Sequence, residues 1–198
     1  MVVAVALIMS GHQAGLTRRR LLAGSATLLA LAGCQNTGES GGDTPSAVAI
    51  SDDANCVQCG MVISQHPGPV GQTYYQDHTP SGDGEPVPFC STTCTFRHRF
   101  AKADAGWTPV ATFLTDYSAV DYDIRTEGGA AVLSHHLEAA AFTETSSLTA
   151  VANSDVEGAM GTAIVPFSDS ADADAFAEKH GGTTLPAEDI QRELVSRG

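Results

Sequence analysis

Four cysteines form two closely spaced pairs with the spacing of a metal site. Cys56 and Cys59 make a C-x-x-C pair, and Cys90 and Cys94 make a C-x-x-x-C pair thirty residues further along. A C-x-x-C turn can direct both sulfurs at one point, and cysteines four apart lie on one face of a helix. Thiolates select Cu(I), Zn(II) or iron–sulfur centres. The two pairs therefore predict a thiolate metal site.

Three states of this site remain open from the residues alone. A structural zinc site would use all four thiolates, whereas disulfides would form readily in an oxidising compartment outside the cytoplasm. Cu(I) prefers two or three soft ligands and accepts a thioether. Met61, which follows Cys59 and Gly60, favours the Cu(I) interpretation mildly, although a core methionine would explain it equally well.

Several histidines lie near the cysteines in sequence. We expect His66, His78 and His98 to be surface residues rather than ligands, and His78, in a predicted hairpin loop, is the best candidate among them. The doublet at 135–136 is expected on the solvated surface. His180 is expected at a helix end, where a cation interacts favourably with the helix dipole.

The elements that position these residues are predicted from periodicity and capping signals. The first half is predicted to contain strands at 61–64, 70–76, 87–89 and 110–115 and a helix at 91–103. The second half is predicted to contain strands at 120–124, 148–152, 162–167 and 183–185 and helices at 171–180 and 186–195, with 135–141 either helical or extended.

Each half thus offers strands, then a helix, then a strand. This order predicts an α+β fold of two small related units. The first unit is expected at 52–117, with the cysteine pairs, and the second at 118–198, with Met160.

The N-terminal segment has the signals of an exported lipoprotein. Arg18, Arg19 and Arg20 precede an apolar run at 21–32, which is shorter than the roughly 20 apolar residues of a membrane span. The run ends in Leu-Ala-Gly-Cys, a lipobox. We therefore predict twin-arginine export, lipidation of Cys34 and anchoring at the outer face of the cell membrane. An uncleaved signal anchor is the alternative.

Cleavage before Cys34 would divide the chain into a signal segment at 1–33 and a mature protein. Residues 34–51, rich in Gly, Ser and Thr, are predicted to be a flexible tether. A start at Met9 rather than Met1 would give the signal segment a more usual length.

The composition is strongly acidic, with a net charge of −13 at pH 7. Loss of the signal segment would leave seven of the ten basic residues against 23 acidic ones. Such a chain does not bind nucleic acid through a basic patch. Lysine occurs only at Lys102 and Lys179, a pattern typical of salt-adapted proteins, in which screening makes dense carboxylates tolerable. An ordinary acidic secreted protein is the alternative.

A series of motifs spread over residues 52–195 resembles the NosL family, lipoproteins that deliver copper for maturation of nitrous oxide reductase. The motifs are C-x-x-C-G-M at 56–61, F-C-S-x-x-C-x-F at 89–96, D-Y at 116–117, E-G-A-M-G at 157–161, V-P-F at 165–167, D-A-D-A-F-A at 172–177 and H-G-G at 180–182.

The resemblance implies a Cu(I)-binding metallochaperone, not an enzyme, in a halophile-like variant. Its implied partners are nitrous oxide reductase and a copper-linked membrane ABC transporter, and its implied fold is similar to part of organomercurial lyase. The copper ligands implied by the family are Cys59, Met61 and Met160. The lipid anchor of the family matches Cys34.

One position departs from the family pattern. Many members have an aspartate where this chain has Cys94. With Cys56, Cys59 and Cys90, this extra thiol would complete a separate four-thiolate site, with zinc or a disulfide as its alternative states. Cu(I) would then be held by the two methionines and one other group.

Two other functional classes remain as alternatives. A thiol redox protein would need a thioredoxin-like βαβ context around C-x-x-C, and no helix is predicted after Gly60 and Met61. A zinc-stapled extracytoplasmic binding module would bind partners without copper. The sequence shows no Ser/His/Asp constellation, phosphate loop or nucleotide fingerprint.

Overall fold

The computed structural model of the chain describes residues 45–76 and 84–196. The predicted signal segment, Cys34, most of the predicted tether and His78 lie outside the described residues. Among the described residues, no helix has the length and apolar character needed to cross a membrane.

The described residues contain eleven strands, three α-helices and four short 3-10 helices. The strands are β1 Gly71–Tyr75, β2 Val87–Phe89, β3 Pro109–Thr115, β4 Ile124–Glu127, β5 Ala130–Leu133, β6 Phe142–Glu144, β7 Thr149–Ala152, β8 Val156–Gly158, β9 Gly161–Thr162, β10 Val165–Phe167 and β11 Thr183–Pro186. The helices are α1 Thr92–Asp104, α2 Ser170–His180 and α3 Arg192–Val195, and the 3-10 helices are Ile63–Gln65, Ala139–Ala141, Thr145–Ser147 and Ala187–Asp189.

The strands form three small sheets. One is antiparallel in the order β2-β1-β3-β6, a second is antiparallel in the order β10-β7-β11, and the third has the order β4-β5-β8-β9. The β5/β8 pair is parallel. These mixed sheets with few helices confirm the predicted α+β class. β6, from the second half of the chain, pairs with β3 from the first half, so strand pairing joins the two halves.

Helix α1 begins where the sequence predicts. Ser91 adopts an extended backbone, and its hydroxyl oxygen accepts a hydrogen bond from the backbone N–H of Cys94 at 2.9 Å. This N-cap satisfies one of the free amides of the first turn. Phe96 is buried in the core, and the helix ends at Asp104, shortly before Gly106. Because Ser91 fixes the first turn, it also fixes the positions of the cysteines on either side.

Four predicted elements differ from the structure. The strand predicted at 162–167 is divided between β9 and β10, which belong to different sheets. The strand predicted at 61–64 is an isolated bridge at Val62 followed by a 3-10 helix. The strand predicted at 120–124 begins only at Ile124, the first residue of β4, and Val120 and Tyr122 pack against the core from a loop. The helix predicted at 186–195 is interrupted at Ile190, which is extended and buried. The β4/β5 hairpin, which turns at Glu127-Gly128-Gly129-Ala130, has no counterpart among the predicted elements.

The Asp-Tyr pair of the motif series has a structural role. The Asp116 carboxylate is buried and accepts hydrogen bonds from the backbone N–H groups of Ser118 at 3.0 Å and Ser168 at 2.8 Å. It also accepts one from the Thr143 hydroxyl at 2.9 Å. Asp116 therefore links the end of β3 to β6 and to the residue after β10.

A loop from the first half holds the segment that carries Met160. The backbone N–H of Ala159 donates to the carbonyl oxygen of Pro67 at 2.7 Å. Gly68 has φ +95°, and a Cβ atom at this position would lie 2.6 Å from the Cα of Gly158. Only glycine permits this backbone conformation and this close approach. The contact fixes the 158–161 turn against the part of the chain that carries the cysteines.

Candidate metal centre

The four cysteines converge on one point and form what we call the thiol cluster: Cys56, Cys59, Cys90 and Cys94. All four Sγ atoms lie within 4.8 Å of one another. The Cys59 and Cys90 sulfurs are 3.4 Å apart, and the Cys90 and Cys94 sulfurs are 3.7 Å apart. Sulfurs bound tetrahedrally at about 2.3 Å from one ion would be about 3.8 Å apart. The four free thiols therefore match the dimensions of a four-thiolate metal site.

The first pair lies in a tight turn, which we call the knuckle, at residues 56–60. The backbone N–H of Gly60 donates to the carbonyl oxygen of Cys56 at 2.7 Å, and the N–H of Cys56 donates to the carbonyl oxygen of Met61 at 2.8 Å. Gly60 has φ +80°, which favours glycine at the end of the turn. The Cys56 sulfur also accepts backbone hydrogen bonds from Cys59 and Cys90. These bonds stabilise negative charge on that sulfur.

The second pair lies at the junction of β2 and α1. Cys90 directly follows β2, and Cys94 lies in the first turn of α1. The positive end of the helix dipole favours thiolate at this place. The backbone N–H of Val57 donates to the carbonyl oxygen of Pro88 in β2 at 3.2 Å and joins the knuckle to the strand. This backbone contact brings the two pairs together across the intervening chain.

The thiol cluster is unevenly exposed. Cys56, Cys90 and Cys94 are at most 1% exposed, whereas Cys59 is exposed to solvent. The buried sulfurs can serve a closed site, and Cys59 is the thiol that a second ion or a partner can reach.

The thiols share their protons unequally. Hydrogen bonds from Cys90 and Cys94 hold the pKa of Cys56 far below its usual value. The hydrogen bond to Cys56 raises the pKa of Cys94 to about 12, and it is also the main reason that the pKa of Cys90 is raised. Because a metal binds thiolates, metal binding must displace the remaining thiol protons, so metal affinity falls as the pH falls.

The two methionines lie beside the thiol cluster. Met61 and Met160 are half-buried, and both pack against the hydrophobic cluster that contains the three buried cysteines. Met160 lies in the turn between β8 and β9 and also lines a cavity of about 250 Å³ together with Thr93, the neighbour of Cys94. The structure thus brings Met160 from the second half of the chain to the region of the thiols. The ligand roles of both methionines stay predictions.

His98 is buried, so the expectation that it lies on the surface is wrong. Its Nδ1 is 3.0 Å from the Tyr75 hydroxyl oxygen, and its ring packs against Phe89 and Trp107. Burial lowers the pKa of His98 to about 4. A neutral ring that packs among aromatic side chains explains this residue without a metal.

The other described histidines have varied environments. His66 is half-buried in the loop after the knuckle. The 135–136 doublet is half-buried, not solvated as expected: the His136 side chain is 15% exposed, and its Nε2 is 3.2 Å from the Ser134 hydroxyl oxygen. His180 ends α2 as predicted, and its ring packs against Phe176.

The burial of neutral His98 predicts a loss of stability in acid. The folded pKa of about 4 lies below the unfolded value of about 6.5, so the unfolded chain binds the proton more readily. The contribution of neutral His98 to the free energy of unfolding is complete above about pH 6.5. It declines as the pH falls towards 4, and about 2 kcal/mol is lost at about pH 5. Denaturant unfolding of metal-free protein should show this decline. The decline should be smaller in His98→Gln, whereas His66→Gln should behave as the wild type; equal profiles for wild type and His98→Gln would contradict the prediction.

Comparison with known proteins places this site in a family. The NosL family profile matches residues 47–195. The copper-binding lipoprotein NosL of Stutzerimonas stutzeri is 30% identical over 148 residues, which cover 75% of this chain and 67% of that protein. The crystal structure of the copper chaperone NosL from Shewanella denitrificans matches with a TM-score of 0.56 and 27% identity, covering 75% of this chain and 97% of that one.

These matches confirm the resemblance that the motif series indicates. They also agree with the prediction that the chain is not an enzyme, because the relatives are a copper-binding lipoprotein and a copper chaperone. The matched region contains the thiol cluster, Met61 and Met160. The chain belongs to the NosL family.

Proposed function

We propose that the protein is a lipid-anchored Cu(I) metallochaperone that supplies copper for the maturation of nitrous oxide reductase. One observation carries the proposal. An exposed thiol, Cys59, lies at the edge of a buried sulfur cluster, and two methionines from different halves of the chain, Met61 and Met160, pack against the hydrophobic cluster that contains the buried thiols. The relatives named for copper binding and copper delivery support the same function.

The chemistry of these three residues suits a carrier. A thiolate and two thioethers are soft ligands, which select Cu(I) over the hard cations that are abundant outside the cell. Thioethers are neutral, so one thiolate balances the charge of one Cu(I) ion. Because Cys59 is exposed, an incoming thiol or thioether can approach the ion from solvent and replace the ligands one at a time. Stepwise ligand exchange allows transfer without release of free copper.

The proposed setting follows from the N-terminal segment and from the family. The twin arginines and the lipobox at Cys34 favour export and anchoring at the outer face of the cell membrane. The Stutzerimonas stutzeri relative is itself named as a lipoprotein. A copper-linked ABC transporter in the same membrane is the proposed second partner, and the acidic chain is not expected to bind nucleic acid.

An anaerobic transfer assay tests the function. The reduced protein should bind one Cu(I) per chain in competition with a chromophoric Cu(I) chelator, and it should then load apo nitrous oxide reductase faster than the chelator complex does alone. Cys59→Ser should bind copper more weakly and transfer less, whereas Val110→Ala, which changes an exposed residue outside the cluster, should match the wild type. Failure of the reduced wild type to bind Cu(I) would leave the zinc-stapled binding module as the better description.

A further inference from the structure

A cavity of about 260 Å³ lies beside α1, lined by charged side chains and hydroxyl groups. Arg99 of α1, Glu144 of β6 and Glu188 of the last 3-10 helix contribute the charges. Among the described residues that line it, none is a cysteine or a methionine. We propose that this cavity binds a small neutral amino acid, whose carboxylate contacts Arg99 and whose ammonium group contacts Glu144 and Glu188. The proposal does not rest on the copper function.

The cavity forms because β6 is shorter than β3. The two strands pair only at residues 113–115 of β3, and after Glu144 the chain turns into a 3-10 helix. The first residues of β3 therefore have no β6 neighbour on this side. The Thr145 hydroxyl donates to the carbonyl oxygen of Thr112 at 2.8 Å. This bond holds the turn against β3 and fixes the wall of the cavity.

Arg99 carries the strongest indication of a ligand. Its Nε is buried and has no hydrogen-bond partner among the described residues, and none of the ion pairs found among them includes Arg99. Its guanidinium carbon lies 5.0 Å from the centre of the Phe96 ring, so stacking orients the plane of the guanidinium. Burial lowers the pKa of Arg99, as expected for a desolvated cation. An oriented guanidinium with a buried, unpaired N–H favours a carboxylate, which it can bind through two parallel hydrogen bonds.

Two carboxylates provide for a positive group in the same cavity. Glu144 is half-buried and Glu188 is exposed. The backbone N–H of Ala187 donates to the carbonyl oxygen of Leu148 at 2.8 Å and fixes the 3-10 helix that carries Glu188. The two glutamates would repel a lone anion, and Arg99 would repel a lone cation. A zwitterion is complementary to both kinds of charge.

The size and the apolar edge of the cavity indicate a short, uncharged side chain on the ligand. Cavities for drug-sized ligands measure about 300–1,000 Å³, so about 260 Å³ suits a smaller molecule. The lining continues over Pro109 and Val110, and Val110 is 50% exposed. A methyl or short alkyl group of the ligand can cover part of this apolar surface. An amino acid of the size of alanine therefore matches the cavity in charge, volume and polarity.

Three matched probes test the site in the wild type. L-Alanine is titrated into the reduced protein at constant pH and ionic strength, in parallel with propionate, which lacks the ammonium group, and ethylamine, which lacks the carboxylate. The Arg99 Nε–H resonance in a ¹H–¹⁵N spectrum should shift saturably with alanine. Propionate and ethylamine should each bind about 10-fold or more weakly, because each loses the charged hydrogen bonds of one end. No saturable shift with alanine, or equal binding of either single-charge probe, would overturn the proposal.

Variants assign the two ends of the ligand, with the amide resonance of Thr145 as the readout. Arg99→Lys keeps the charge but loses the bidentate geometry, so it should bind alanine about 10-fold or more weakly. Arg125→Lys, the same change at an exposed arginine of β4, should match the wild type. Combining Glu144→Gln with Glu188→Gln should abolish the preference for alanine over propionate. If that double variant keeps the preference, the glutamates do not bind the ammonium group and the proposal fails.

Discussion

Replacing Met61 and Met160 together by leucine should lower Cu(I) affinity about 100-fold or more and leave zinc at one ion per chain. Loss of an outer-shell partner of a metal ligand already costs about 10- to 100-fold in affinity, so loss of two direct ligands should cost at least the upper value. A factor of 100 corresponds to about 2.7 kcal/mol of binding free energy. Leucine approximately conserves volume, so the packing against the hydrophobic cluster that contains the buried thiols is largely kept. Competition with a Cu(I) chelator measures the affinity, and metal analysis measures the zinc.

Leu137→Ala is the matched control for this result. Leu137 is half-buried and packs against the same hydrophobic cluster, but it carries no sulfur. Its truncation should reduce stability without changing Cu(I) affinity substantially. The single variants Met61→Leu and Met160→Leu should each show an intermediate loss. A double variant with wild-type Cu(I) affinity would remove both methionines from the site and leave the thiols as the copper ligands.

Removal of zinc should lower the melting temperature of the wild type by about 5–10 °C. An ion that binds only the folded chain adds about 2.7 kcal/mol at a free concentration 100 times its Kd. A domain of about 150 residues changes its melting temperature by about 2–4 °C for each kcal/mol. Thermal unfolding followed by calorimetry under reducing conditions, with free zinc buffered and then chelated, measures the difference.

Cys94→Asp distinguishes the metal contribution from ordinary packing. This variant should melt at about the temperature of the chelated wild type, and its melting temperature should not respond to the chelator. If the wild type is equally insensitive to the chelator, the thiol cluster does not bind zinc tightly enough to stabilise the fold. A disulfide is tested in parallel, because a reductant would then lower the melting temperature of wild type.

A metal-loaded thiol cluster would give the predicted export route a physical reason. Four free thiols would enter an oxidising compartment, where the Cys59 and Cys90 sulfurs, 3.4 Å apart, are close enough to be oxidised together. Twin-arginine export carries folded proteins, so the cluster would cross the membrane with its ion already bound. A metal-bound thiolate is shielded from oxidation by its coordination, which would preserve Cys59 for copper.

Local sequence signals were sufficient to predict the main helix and strands in the first half of the fold. Ser91 before an apolar pattern predicts the start of α1, and the apolar stretch at 70–76 predicts β1. These signals depend on residues a few positions apart, and capping and periodicity are properties of that range. The apolar alternation at 120–124 placed the start of β4 four residues too early, because burial of a loop against the core produces the same pattern as strand pairing.

The sequence by itself determined the sulfur side chains available to a soft metal, the spacing of the cysteine pairs and the family. The tertiary structure decided which of these groups meet and which are accessible. It placed Met160 beside the thiol region through the contact of Gly68 with Gly158, left Cys59 exposed among buried thiols, and enclosed His98 among aromatic rings. Each outcome depends on segments far apart in the chain. Residue spacing determines which side chains lie on the same face of one turn or helix. Only the packing of the whole chain determines which other side chains that face contacts.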